Sequence, residues 1–238
     1  MTSLSRNNWR SLGLVIAVEA SVMAASRYAL RQHPDAVISV ELFRTALRIG
    51  SAALYWWLFR DIFRTGPVNT KALRQTHLKV LIPLMLLVPV LCANDRLLDD
   101  QALVFALTSI FVGIKEEILF RGILQGLCRK LISPQMSVVL VSLVFTAWHY
   151  GVQPFNFYSV SVLFVCGLVL GLMYEASQSL LLVIVVHTLY DVLHAVSPIL
   201  AKPYHPLLGW FIGVYCVALA YSWAAKHTAM RTDIEMSV

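Results

Sequence analysis

Charged residues are what this chain has least of. Aspartate, glutamate, lysine and arginine make up 13% of its 238 residues, against 58% hydrophobic ones. A soluble domain carries about 25% charged residues. With a mean hydropathy of +0.71, the shortage excludes an ordinary soluble domain and leaves a helical membrane protein. Cysteine is also scarce. Cys92, Cys128, Cys166 and Cys216 lie on separate apolar segments without C-x-x-C spacing. That excludes a zinc knuckle or a dithiol redox pair and leaves small packing residues. No H-E-x-x-H occurs, so the zincin helix is absent. No G-x-S-x-G occurs either, so a serine elbow has no support. Tyr190-Asp191 matches half of an aspartyl intramembrane signature, but its G-x-G-D partner is missing. Internal repeats, low-complexity tracts and linkers are missing too. The formal net charge of +6 sits in loops. It fits membrane orientation rather than nucleic acid, and no nucleic-acid partner is expected.

Apolar runs, by contrast, are plentiful. A spanning helix needs roughly 17–25 residues, and about eight segments qualify by that measure: 12–30, 38–59, 78–94, 101–131, 135–154, 157–175, 178–197 and 206–225. The predicted fold class is therefore all-α, a polytopic transmembrane bundle forming one membrane domain over 1–238. The second segment is the weakest. Its Glu41, Arg44 and Arg48 fall on one face. Pro83 and Pro89 should kink or shorten the third. Glu19 interrupts the first, and no A-x-A cleavage site follows, so an uncleaved first span is expected. An even number of spans puts both termini on one side. Arg6, Arg10, Arg60, Arg64, Lys71, Arg74, Lys79, Arg129, Lys130, Lys226 and Arg231 gather there, against Arg27, Arg31, Arg96 and Lys202 opposite. The asymmetry predicts N-in, C-in. Gly66-Pro67, Pro134, Pro154 and Pro203 mark short loops.

The chemistry sits where charge is most costly. Glu116 and Glu117 are adjacent within the 101–131 run, and a carboxylate in hydrocarbon costs roughly 2.5–3.5 kcal/mol even on lenient scales. Glu117 and Arg121, four apart, share a helix face and can pair. Glu116 lies about 100° around the helix and is the free carboxylate. Taken alone, both glutamates could simply neutralise Lys115 and Arg121. Phe145 and His149 repeat the four-residue spacing on the next run, and His187 and Asp191 on a third. A rise of 1.5 Å per residue puts Glu116 and His187 near mid-span, and His149 within about 7 Å of it. Polar groups at that depth must face each other or a water-filled cavity. No nucleophilic serine or cysteine has a recognisable setting, so an activated water is indicated. Glu116 would be the base, and His149 would share the water and later donate a proton. His187 could supply an N–H to an oxyanion. Asp191 could orient His187, or donate if protonated.

Glu116-Glu117-x-x-x-Arg121, Phe145-x-x-x-His149 and His187-x-x-x-Asp191 resemble the three motifs of the CAAX prenyl protease and bacteriocin-processing (CPBP, or ABI) intramembrane endopeptidases. Their order is the same, as is their placement on separate helices. The resemblance covers about residues 101–197, which would form the catalytic core. It implies a peptidase in which Glu116 and His149 activate water and His187 with Asp191 forms the oxyanion site. Glu117, Arg121 and Phe145 would be structural support. Asparagine commonly stands where this chain has Asp191, and the family accepts either. No cofactor is expected. Because the family has been discussed as metal-dependent, zinc held by Glu116, His149 and His187 is the alternative.

The expected function is hydrolysis of a membrane-anchored or membrane-spanning peptide, by an integral protein of a bacterial cytoplasmic (inner) membrane. Its partners would be that substrate and the lipid bilayer. A non-catalytic relative acting as membrane scaffold or bacteriocin-immunity protein is the alternative. A transporter or proton relay is a third reading, since intramembrane Glu/His sets also serve those.

Overall fold

In the computed structural model, residues 6–33, 35–63, 69–92, 100–150, 156–200 and 206–235 are described. Gly66, Pro67, Pro154 and Pro203, and the basic Arg64, Arg96 and Lys202, lie outside them. The described residues are helical throughout, without a strand. Successive helices are α1 (Arg6–Gln32), α2 (Val37–Phe63), the single turn α3 (Thr70–Leu73), α4 (Thr76–Cys92) and α5 (Asp100–Glu117). A π-helix, Ile118–Gln125, follows α5 directly and leads into a short α6 (Gly126–Cys128). Then come α7 (Pro134–Trp148), α8 (Phe157–Ser177), α9 (Leu180–Leu200) and α10 (Pro206–Glu235).

Local sequence sets many of these ends. Ser133 caps α7 by accepting the Met136 N–H, with Pro134 at the first helical position. Asn156 caps α8 the same way through Ser159. Gln178 ends α8 in the left-handed region at φ 52°, its N–H bonded to the Tyr174 carbonyl. Asn69 caps α3 and donates its backbone N–H to the Ser177 carbonyl at 2.9 Å, tying α3 to the end of α8.

A helix stands at each expected apolar segment, in the expected order. Asn8–Gln32, Ser159–Ser177 and Leu207–Lys226 are long and apolar enough to cross a bilayer. Thr76–Leu91, Pro134–Trp148 and Leu180–Val196 are apolar but shorter. Leu107, Leu181 and Phe157 point outward, as a lipid-facing surface requires.

Two expected helices differ in shape. The 101–131 run is not one α-helix, because it changes to π geometry straight after Glu117. Gly122 leaves room for the Phe63 ring of α2 against this segment, since a Cβ there would overlap that ring. The 135–154 run stops as a helix at Trp148, which leaves His149 as its C-cap rather than near its middle.

Two apolar cores lie side by side. One joins α4, α8, α9 and α10 around Leu81, Met173 and Trp223. The other joins α1, α2, α5, the π segment and α7 around Tyr55, Phe120 and Phe145. α5 packs on both α2 and α9, and α8 on both α7 and α10. Glycines allow the closest approaches, as expected where helices pack without a hydrophobic drive. A Cβ on Gly113 of α5 would meet Thr188 Oγ1 of α9 at 2.6 Å and the Ile184 carbonyl oxygen at 3.3 Å. Gly113→Val should therefore force α5 from α9, destabilise by about 1–3 kcal/mol, and lower the thermal unfolding midpoint of the purified protein in detergent.

Candidate active site

Glu116 and Glu117 are the last two residues of α5, and the change to π geometry begins at the next residue. Single-turn widenings of this kind often accompany functional sites. Here the π segment turns both Arg121 and Gln125 toward α8. Arg121 Nη2 donates to the Gly167 carbonyl at 3.2 Å, and Gln125 Nε2 to the Gly171 carbonyl at 3.1 Å.

Glu117 and Arg121 pair as their spacing predicts, Nη1 to Oε1 at 3.1 Å, with side chains 0% and 1% exposed. The same Oε1 accepts from His187 Nδ1 at 2.6 Å. Sequence spacing did not reveal that second contact, because 70 residues separate the partners. His187 is therefore oriented by Glu117. Asp191, expected either to orient His187 or to donate as the acid, stands 3.7 Å from His187 Nε2, too far for an orienting hydrogen bond.

His149 caps α7 and turns its Nδ1 back to the Phe145 carbonyl at 2.8 Å. A carbonyl only accepts, so Nδ1 carries the proton of that bond. Phe145 lies among the other groups: its ring centroid is 4.6 Å from that of His149 and 6.1 Å from that of His187. The Arg121 guanidinium sits over it at 4.8 Å, within cation–π range.

With both Nδ1 atoms engaged, both Nε2 atoms face Glu116. Its Oε2 lies 4.0 Å from His149 Nε2 and 3.9 Å from His187 Nε2. That oxygen is buried and makes no hydrogen bond. Exposure separates two layers: Glu117, Arg121 and His187 are sealed in, whereas Glu116 (13%), His149 (12%) and Asp191 (17%) retain some access. The structure thus brings Glu116, Glu117, Arg121, Phe145, His149, His187 and Asp191 together.

Further buried polar groups surround the cluster. Glu41 of α2 pairs with Arg44 at 2.7 Å and with Arg48, and accepts from Thr108 of α5 at 3.1 Å. The α2 face that carries these residues points inward, with Glu41 and Arg48 both buried. Glu19 of α1, read only as an interruption, is 2% exposed and bonded to Lys115 and Tyr55. Gln125 drew no notice inside its apolar run, yet it is 0% exposed and also donates to Glu175. A polar residue within an otherwise apolar span was the available signal for Glu19 and Gln125.

The zinc alternative can be tested on the donor set. Ligands of tetrahedral zinc, at about 2.0–2.1 Å from the metal, lie about 3.3 Å from one another. The Glu116 gaps of 3.9 and 4.0 Å are wider. Among the described residues no three His, Cys, Asp or Glu side chains come together as a metal-holding group. The side chains as placed do not fit the ion.

Arg121 has three roles at once: ion pair, hydrogen bond to α8, and stacking on Phe145. Lysine reproduces the charge but not the planar fork. Arg121→Lys should therefore destabilise substantially. Arg121→Met, which leaves Glu117 without its ion pair, should cost about 3–5 kcal/mol, read as loss of folded protein on size-exclusion chromatography or as a lowered midpoint.

No curated protein and no solved structure matches the chain. A protein-family model described as type II CAAX prenyl endopeptidase Rce1-like matches residues 99–193. That stretch runs from the start of α5 through Asp191 and holds all three motifs. The helices that build the cluster are thus similar to the type II CAAX prenyl endopeptidases, and the family resemblance first read from the motifs is to the CAAX protease family.

Proposed function

We propose that the chain is an intramembrane endopeptidase that hydrolyses a peptide bond of a membrane-associated substrate with a water activated by Glu116 and His149. One observation carries this reading: Glu116 Oε2 is buried, makes no hydrogen bond, and faces two imidazole Nε2 atoms across gaps of 3.9 and 4.0 Å. Such gaps are too long for direct bonds and are suited to a bridging water. A water donating one hydrogen to Oε2 and the other to His149 Nε2 presents its lone pair to a substrate carbonyl. Attack forms the C–O bond as the water proton passes to the Glu116–His149 pair. Collapse breaks the C–N bond, and that proton goes to the leaving amine.

The tetrahedral oxyanion needs donors, each typically worth about 2.7–4 kcal/mol. His187 can donate from Nε2 only as an imidazolium, because Nδ1–H already serves Glu117. Asp191, on the open side of His187, would donate as the acid. Glu117, Arg121 and Phe145 hold these groups in register.

The substrate we infer is a membrane-anchored or membrane-spanning peptide reaching the site from the bilayer. The apolar exterior and the match to CAAX-type peptidases support this. The positive-inside distribution supports about eight crossings with both termini on the cytoplasmic side. A bacterial cytoplasmic membrane is the proposed location.

Glu116→Gln preserves size and hydrogen bonding but removes the base. Cells carrying it should accumulate an uncleaved membrane peptide or protein that wild type processes, read by comparing the two membrane proteomes. Equal processing would instead favour the scaffold or immunity-protein reading. Because the side chains do not fit a zinc site as placed, activity of the purified protein should survive dialysis against a strong chelator. Loss reversed by zinc would revive the metal alternative.

A further inference from the structure

We infer that Glu19 of α1 is a positioning residue that keeps Lys115 away from Glu116, leaving the Glu116 carboxylate open for the reaction. This rests on the role proposed for Glu116.

Lys115 immediately precedes Glu116, and its charge acts on that carboxylate. An ammonium so close, itself buried, is a competitor for the same oxygen. In the structure it is held elsewhere. Lys115 Nζ lies 2.7 Å from Glu19 Oε2 and 5.8 Å from the Trp148 ring centroid. The other oxygen of Glu19 accepts from Tyr55 at 2.6 Å, so the carboxylate is fixed on both sides. Its side chain is 2% exposed and that of Lys115 8%, where an unpaired charge is strongly disfavoured.

Removal of the Glu19 charge would leave the Lys115 ammonium buried without an anion. The nearest glutamates differ in availability. Glu117 is already charge-paired with Arg121 and bonded to His187 through Oε1, and only its Oε2 is without a hydrogen bond. Glu116 Oε2 has no hydrogen bond at all. Adjacent helix positions diverge by about 100°, but a four-carbon stem with rotatable bonds can span that divergence. Lys115 would then fill the space proposed for the water.

α1 lies outside residues 99–193, the stretch that matches the peptidase family. Few residues of its Asn8–Gln32 segment are buried. Nevertheless it contacts the neighbours of both proposed water-activating residues. Glu19 holds Lys115, beside Glu116, and Arg27 donates to the carbonyl of Tyr150, beside His149, at 2.9 Å.

The test compares wild type, Glu19→Gln, Lys115→Met and the Glu19→Gln/Lys115→Met double variant. Each is matched for protein in the membrane and assayed on the species that accumulates with Glu116→Gln. Glu19→Gln should cleave at least about tenfold more slowly. The double variant should return to the rate of Lys115→Met, because no ammonium remains to misplace. Wild-type rates in Glu19→Gln overturn the inference. So does a double variant as slow as Glu19→Gln, since the loss would then come from packing. An experimental structure of Glu19→Gln gives a readout free of activity: Nζ should stand within about 3 Å of a Glu116 oxygen, and an ammonium still over Trp148 refutes the relocation. Continued cleavage by Glu116→Gln would be a separate result, sinking the peptidase reading itself.

Discussion

A single carboxylate oxygen, Glu117 Oε1, joins the elements on which the site depends. Arg121 approaches it from the π segment and His187 from α9. Arg121 extends the connection to α8 through the Gly167 carbonyl and to α7 through the face of Phe145. Burying such a pair costs desolvation, and only close geometry with added hydrogen bonds offsets it. The arrangement supplies registry: α5, α7, α8 and α9 are held in one relative position where apolar packing alone would tolerate sliding. Gly113, Gly167 and Gly171 let the backbones approach closely enough for these bonds to form.

Around that contact, buried charge is arranged unevenly. Glu19 has Lys115, Glu117 has Arg121, and Glu175 has Arg129. Glu41 has both Arg44 and Arg48. Among the described residues, Glu116 and Asp191 have no Lys or Arg within ion-pair distance, only imidazole nitrogens at 3.7–4.0 Å. In a membrane interior an uncompensated carboxylate is expensive. It stands where side-chain exposure is small but not zero, beside the sealed Glu117–Arg121 support. Paired groups hold the structure, and the unpaired carboxylate is the one proposed to act on water.

Much of this was legible in the chain. Four-residue spacing identified the Glu117–Arg121 pair and set Glu116 apart, because helix periodicity is a local property. That Glu41, Arg44 and Arg48 share one face was readable for the same reason; that the face points inward was not. The link between Glu117 and His187 was not, since no spacing rule connects residues on separate helices. Nor could periodicity reveal the π segment: an apolar run looks alike whether its turns close at four residues or five. That His149 would cap its helix was not legible, because the apolar run continues past the point where the helix ends.

The sequence by itself determined that the chain is helical, that it is too apolar for water, and which side chains must escape the lipid. Those are consequences of composition and of a 3.6-residue repeat. Only the tertiary structure decided which escaping groups meet. It gave Glu117 rather than Asp191 the orienting bond to His187, and it gave Lys115 to Glu19 rather than to its neighbour. Such choices depend on how closely two backbones approach, and that distance is set by packing between segments far apart in the chain.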